Sequence, residues 1–374
     1  MDNCFGIINH TTNEADFGSL CKNRPVYMLP FASRYRIVDV AISNMVNNGI
    51  KSIAVYTGEK IRSTMDHLSD GKSWGLNSRF QGLFLYPPIK QNLSIERLGD
   101  IAELYSTLDF FETLREENAL ILDPSVIFMN NLDEAYNDFV ESESDITLLY
   151  VKISDDTGEF VNTDKLHLDD DDFVNNIGIN LGTEKDFNMF INSIIIKKDI
   201  LIKLIKETVE KGNANSLKDA IIKNKNTLKI NSFELTGLVQ IVKDPKSYFN
   251  ANLNLLKKEN FNELFCNNGR VMTKTKDEPP TIYREFPKVE NSLIANGSDI
   301  EGDVENSIIF RGVKIEKGAI VKNSIIMQKS IIRQGAVVVN SIIDKYAEIE
   351  EEVSLVGSVN QPYIVGKYGV VKKD

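Results

Sequence analysis

Asn306-Ser307-Ile308-Ile309, Asn323-Ser324-Ile325-Ile326 and Asn340-Ser341-Ile342-Ile343 decide how the C-terminal part of this chain folds, and Asn291-Ser292-Leu293-Ile294 is an earlier copy. The copies begin at intervals of 15, 17 and 17 residues. One apolar ladder runs through them: Ile309, Ile315, Val321, Ile326, Ile332, Val338, Ile343, Ile349 and Leu355, in repeated steps of six, six and five. An α-helical period of about 3.6 residues cannot produce it, and hairpin strands alternate with period two. A triangular parallel β-helix does, because three short strands make each coil and one inward residue per strand recurs about every six residues. Residues 291–374 are therefore read as a parallel β-helix of hexapeptide repeats.

Upstream the pattern changes. Phe5 to Ile8 is a short apolar strand. Ile37 to Asn48 carries Val38, Ile42, Met45 and Val46 at helical spacing, and Gly49 terminates it. Ser52 to Tyr56 is the next strand, Ile101 to Leu114 an amphipathic helix, and Ala119–Leu122 and Ile146–Val151 two further strands. Short helix-to-strand connections of this kind build βαβ units. Residues 1–256 are thus expected to form an α/β domain with a mixed, mainly parallel sheet. The polar stretch 257–290, with Asn267-Asn268-Gly269 and Pro279-Pro280, reads as a linker. The run Asp169 to Asp172 reads as a solvated turn.

Composition narrows the function. The 374 residues carry a net charge of −11, against bulk binding of nucleic acid or of an anionic membrane, although a local basic pocket for a small anion remains open. Cys4, Cys21 and Cys266 are odd in number and widely spaced, with no disulfide framework or zinc ligand set. No apolar run approaches a membrane span and no signal-peptide pattern opens the chain, so a cytoplasmic location is expected. Hexapeptide β-helices often serve acyltransferases with a histidine base on the coil. The histidines here are His10, His67 and His167, none within the repeats. A structural or oligomerising role for the coil accounts for it better.

The segment Pro30-Phe31-Ala32-Ser33-Arg34-Tyr35-Arg36-Ile37-Val38-Asp39 with Ser43-Asn44 resembles the "PFGGKYRIID…SN" stretch of bacterial ADP-glucose pyrophosphorylases (glucose-1-phosphate adenylyltransferases). Asn48-Gly49-Ile50 resembles their "NSGI", and Gly71 to Leu76 with Tyr86-Pro87-Pro88 their "G-x-x-W-x-L … PP". The repeat region resembles their C-terminal domain. The resemblance covers nearly the whole chain. It implies a Rossmann-like nucleotidyltransferase domain followed by a left-handed parallel β-helix.

The departures fall on the chemistry that the resemblance implies. The family's nucleotide loop reads "GGxGxRL". Counting back from Leu20, its glycines fall on Thr11, Thr12 and Glu14 and its arginine on Asp16. Glycines let backbone N–H groups approach phosphates, and the arginine supplies charge-assisted hydrogen bonds. A carboxylate 4 Å from a phosphate charge costs instead about 4 kcal/mol at an effective dielectric near 20. A merely solvated loop also lacks the cradle. The family lysine of "AKPA" falls on Val26. The Mg²⁺-holding aspartate of "GDH" falls on Ser125, with Asp123 two residues away. Aligning Ser247-Tyr248-Phe249-Asn250-Ala251-Asn252 with "YW-x-A-N" puts the second metal aspartate at Ile241, which offers no hard oxygen ligand.

In-line attack on the α-phosphate of ATP depends on such positioning and neutralisation. Four losses together resemble the non-catalytic glycogen-biosynthesis paralogue of the family, which pairs with a catalytic subunit in heterotetramers. No cofactor is then expected. Three alternatives stay open: a diverged active sugar-1-phosphate nucleotidyltransferase using Mg²⁺ at Asp123 or Asp244, a β-helix acyltransferase, and a stand-alone sensor or scaffold. Arg34 matches a family lysine linked to binding anionic sugar-phosphate activators. Arg34 and Arg36, beside Tyr35, are the candidate effector residues. The bland reading pairs them with carboxylates such as Asp39. Arg311, Lys314 and Lys317 are a weaker second candidate, or solubilising coil residues.

Overall fold

The computed structural model describes residues 1–9, 12–78, 81–88, 99–284 and 286–373. The chain forms two compact units whose segments alternate along the sequence. The first comprises Met1–Thr11, Ala41–Ile61 and Ser69–Val239, and the second Thr12–Val40, Arg62–Leu68 and Gln240–Asp374.

The first unit is built on a mixed sheet. Its strands are β1 (Cys4–Ile8), β2 (Ile53–Tyr56), β3 (Leu83–Tyr86), β4 (Asn118–Leu122), β5 (Ile146–Ser154), β6 (Asp164–Leu168), β7 (Val174–Ile179), β8 (Asp186–Lys197) and β9 (Ile230–Glu234). Strands β4, β1, β2 and β3 run parallel in that spatial order. β8 runs antiparallel to β4, β5 and β6, and β9 lies parallel to β5. β1, β2 and β4 are buried along their whole length, which is why they read as continuous apolar runs. One face of the sheet carries Phe5, Ile7, Ile121 and Ile194 into the core.

Helix α1 (Ile37–Asn47) ends at Gly49, whose φ of +88° suits glycine. It is followed in sequence by α2 (Ile61–Leu68), of which Arg62–Leu68 belongs to the second unit. The single helix expected over 101–114 is two, α3 (Gly99–Tyr105) and α4 (Leu108–Thr113). The Ser106 hydroxyl donates to the Glu103 carbonyl at 2.6 Å and the Thr107 hydroxyl to that of Leu104 at 3.1 Å, so side chains compete for the helix acceptors at the break. Helices α5 (Asp133–Glu141), α6 (Lys198–Lys211) and α7 (Leu217–Asn224) complete the unit. The acidic run is the β6–β7 turn: Asp169 Oδ1 accepts the N–H groups of Asp171 and Phe173 at 3.0 and 2.9 Å.

The second unit is dominated by the left-handed parallel β-helix, three all-parallel sheets wound by one chain. Its first strand is Ile282–Tyr283, inside the stretch expected to be linker. Every residue of the apolar ladder lies in the coil core. In register across coils, Ile300 pairs with Ile315, Val304 with Val321, and Ile309 with Ile326. The repeated tetrad explains itself. Each asparagine turns a corner with positive φ, +40° at Asn291, +47° at Asn306, +45° at Asn323 and +48° at Asn340, a region that asparagine tolerates. The hydroxyls of the first three tetrad serines each accept the N–H of the serine one coil on, Ser292 from Ser307, Ser307 from Ser324 and Ser324 from Ser341. The second apolar residue points into the coil. The first, Ile308, Ile325 or Ile342, is equally buried.

The chain's own early segment lies against the coil. Arg24 reaches Met327 and Asp344, and a Cβ at Gly366 would sit 3.1 Å from that of Ser19. Helix α8 (Pro245–Leu253) holds the same segment from another side. The Tyr248 hydroxyl donates to the Pro30 carbonyl, and Asn252 Oδ1 accepts the Ala32 N–H at 3.0 Å. Tyr35 and Phe265 stack with centroids 5.0 Å apart. The compact units therefore depart from the expected linear division: Thr12–Val40 and residues from Gln240 onward cluster with the coil because their buried contacts lie there.

Candidate functional site

Open α/β sheets bind ligands beyond the carboxyl ends of their parallel strands. In the first unit those are the ends of β1 and β4. Ile8 pairs with Leu122, so Asn9 and Asp123 leave the sheet side by side. Asp123 is buried and committed to a turn: its Oδ1 accepts the Ser125 N–H at 2.9 Å and the Ser125 hydroxyl at 2.6 Å. Ser125, read from sequence at the family metal aspartate, thus spends its hydroxyl on Asp123. Among the described residues no group of three or more His, Cys, Asp or Glu is arranged to hold a metal ion.

Two more acids stand at this end of the sheet, and the sequence reading missed both. The Asn9 amide donates to Asp100 Oδ2 at 3.2 Å, and Asp100 Oδ1 accepts the Leu217 N–H at 3.1 Å. Burial pushes the Asp100 carboxyl up to about 6 despite these donors. Burial, and then the Asp100 charge, pushes Glu103 up to about 7. Carboxyls that hold protons near neutrality are poor ligands for a hard cation.

In the second unit the expected phosphate loop is helical. Thr11 lies outside the described residues, and Thr12 is half-buried. Glu14–Cys21 forms 3₁₀ turns, capped by Asn13, whose side chain accepts the Ala15 N–H at 3.1 Å. Glu14 and Asp16 occupy the first turn, where carboxylates complement the partial positive charge of a helix start. The acids therefore stand where a phosphate would be favoured. Phe17, Leu20 and Cys21 anchor the turns in the core. Val26, read from sequence at the family lysine, is 1% exposed and opens the buried turn Val26–Met28. Ile241 is half-buried in a short strand. Asp244, the other candidate metal ligand, caps α8 by accepting the Ser247 N–H at 2.7 Å.

The two effector candidates part company. Arg36 lines a cavity of about 150 Å³ with Arg24, Lys345, Lys367, Asp66 and Asp344 among its walls. Arg34 is exposed and does not line it; its neighbours are Tyr35 and Arg311. Asp39 takes the backbone N–H of Arg36 at 2.9 Å rather than its guanidinium, which donates to the Met28 carbonyl at 2.7 Å. The remaining Asp39 contacts are Thr273 Oγ1 and His67 Nε2, each at 2.6 Å.

The cavity is rich in positive charge for so acidic a chain. Burial, followed by the Arg24 charge, draws the Arg36 guanidinium down to about 10. Burial, followed by Arg36 and Arg24, draws the Lys345 amine down to about 5. Both shifts mark basic groups with too little counter-charge nearby; an amine drawn down to about 5 is neutral at pH 7 and takes up its proton when an anion enters beside it. Of the coil cations singled out from sequence, Lys314 pairs with Glu316 at 2.9 Å. Arg24, Lys345 and Lys367 were missed. A signal existed: aligned coils carry Phe310, Met327 and then Asp344 in one column, an abrupt change from apolar to charged.

Comparison with known proteins agrees with this architecture. Residues 18–159 match the family described as nucleotidyl transferase, and residues 283–361 that described as GlmU-like, C-terminal hexapeptide. The chain is 34% identical to the glycogen biosynthesis protein GlgD of Geobacillus stearothermophilus over 317 residues, 84% of this chain and 82% of that protein. It is 29% identical to GlgD of Bacillus subtilis (strain 168), over 85% of this chain and 82% of that one. Identity to the glucose-1-phosphate adenylyltransferase of Bacillus cereus (strain ATCC 14579) is 26%, over 81% of each chain. Among the described residues no helix is long and apolar enough to cross a membrane.

Proposed function

Because the chain belongs to the GlgD group of the glucose-1-phosphate adenylyltransferase family, with a role in glycogen synthesis, we propose that it is a regulatory, catalytically deficient subunit of ADP-glucose pyrophosphorylase that modulates a catalytic partner. The observation that carries the reading is the Asp123–Ser125 contact. The residue read at the metal-aspartate position is a serine, and that serine's hydroxyl and N–H both donate to Oδ1 of the neighbouring Asp123. Val26 in place of the lysine and Glu14 and Asp16 in place of the phosphate-binding residues point the same way. Phosphoryl-transfer catalysis is almost wholly positioning and charge neutralisation, so a chain without these groups has little to catalyse with.

The retained basic cavity gives the subunit something to sense. Arg36, Lys345 and Lys367 suit an anionic sugar-phosphate effector, and effector binding here would alter the activity of the assembled enzyme. The test is an assay of ADP-glucose formation from ATP and glucose 1-phosphate with Mg²⁺. The purified chain alone should be inactive, and mixing it with the catalytic subunit of the same cell should change that subunit's rate or effector response. Turnover by the chain alone, lost on Asp123→Asn, would establish instead a diverged active adenylyltransferase.

A further inference from the structure

The basic cavity already contains an anion belonging to the chain. Asp344 follows inward-pointing Ile343 at a coil corner and is 1% exposed, in the column that Phe310 and Met327 fill in the two preceding coils. Both of its oxygens are used. Oδ2 accepts from Arg24 Nη2 at 2.5 Å, and Oδ1 accepts the Lys345 N–H at 2.7 Å. Arg24 is itself fixed, since Nε donates to the Leu20 carbonyl at 3.0 Å and Nη2 also contacts Met327 Sδ. Burying a carboxylate in an otherwise apolar column is unfavourable unless a partner compensates. The other three basic groups of the cavity are placed differently. Arg36 donates its guanidinium to a main-chain carbonyl, Lys367 lies over the rings of Tyr346 and Tyr368, and among the described residues neither these two nor Lys345 is ion-paired with a carboxylate.

We propose that Asp344 is a built-in occupant of this anion site: its carboxylate takes the Arg24 guanidinium that an incoming phosphate would otherwise engage. The chain thereby keeps the most enclosed part of the site neutralised without ligand. A phosphate ester is left with Arg36, Lys345 and Lys367, and meets the Asp344 charge as a competitor. The consequence is a subunit with a damped response to anions, set by one residue. This inference rests on the effector reading above, and it makes a distinct claim about what limits affinity.

The experiment compares the full-length chain with Asp344→Asn, using inorganic phosphate as the probe in buffers matched in ionic strength with chloride. By titration calorimetry, Asp344→Asn should bind phosphate at least tenfold more tightly than the unmodified chain. Its thermal midpoint, lowered in chloride by the unpaired Arg24, should recover by several degrees in phosphate, while that of the unmodified chain barely moves. Adding Arg24→Gln to Asp344→Asn should abolish the tenfold gain. Equal phosphate affinity in the unmodified chain and Asp344→Asn overturns the proposal. So does an Asp344→Asn chain that folds in neither buffer, because the carboxylate is then needed in a way no free anion replaces. If the gain is found but phosphate esters leave the partner's activity unchanged, the effector reading fails while the occupancy stands. If the unmodified chain responds to such esters and Asp344→Asn binds no better, the reverse holds.

Discussion

Asp123 Oδ1 accepts two hydrogen bonds from one neighbour, the backbone N–H of Ser125 at 2.9 Å and its hydroxyl at 2.6 Å. The contact closes a tight turn after β4 and commits Oδ1 of the carboxylate. Replacing Ser125 by aspartate would remove the hydroxyl donor and set two carboxylates together. We expect Ser125→Asp to lose about 1–3 kcal/mol of stability in the absence of divalent ions, from the lost bond and like-charge repulsion. Millimolar Mg²⁺ should restore part of it. The unmodified chain should show no Mg²⁺ dependence in the same thermal-unfolding series. A Mg²⁺ shift of equal size in both would mean that Asp123 holds metal as it stands.

Glu103 sets a pH dependence whose sign is fixed. Its carboxyl is raised from 4.5 to about 7 by burial and by Asp100. Between those values the folded chain keeps a proton that the unfolded chain has released, so this contribution to stability falls as pH rises through the window. Above it the full penalty of a buried charge applies. Glu103→Gln should therefore match the unmodified chain near pH 4 and exceed it at pH 8 by about 3 kcal/mol. Asp100, raised to about 6, leaves a smaller slope of the same sign in the variant. Denaturant unfolding at several pH values measures both, and parallel curves for the two chains would rule the account out.

The serine ladder makes the coil sensitive in its middle and tolerant at its start. Ser324 is fully buried; its hydroxyl accepts the Ser341 N–H at 3.1 Å and donates to the Lys322 carbonyl at 2.7 Å. Ser324→Ala leaves a buried N–H unpaired and should cost about 1–3 kcal/mol, a few degrees in the thermal midpoint. Ser292 plays the same part for Ser307 at 3.0 Å but is only half-buried, and water can replace its hydroxyl. Ser292→Ala should cost well under half as much. Equal losses would show that the hydroxyls act through local turn geometry rather than along the ladder.

Legibility varied with the range of the interaction. The β-helix ladder was readable to the residue, because inward positions recur at a fixed short interval. The strands β1, β2 and β4 were readable as apolar runs, within a residue or two at their ends. The break between α3 and α4 was not, because Leu104, Leu108 and Phe111 keep helical spacing across it while Ser106 and Thr107 capture the carbonyls locally. Pairing Arg34 with Arg36 followed from their nearness in sequence. Positive φ at Ala32 and Ser33 turns the chain just before them, and only Arg36 reaches the cavity.

The sequence by itself determined the coil, the α/β sheet and the residue identities at Glu14, Asp16, Val26, Ser125 and Ile241 from which the loss of phosphate and metal binding is proposed. All of these are written in residue identity or short-range period. Tertiary structure alone decided which charges meet. Arg24 and Asp344 are 320 positions apart, yet they form one buried pair. Asn9 and Asp100 are 91 apart and share a hydrogen bond. No local pattern encodes such pairs, because a buried charge finds its partner through the packing of remote segments and not through its neighbours in the chain.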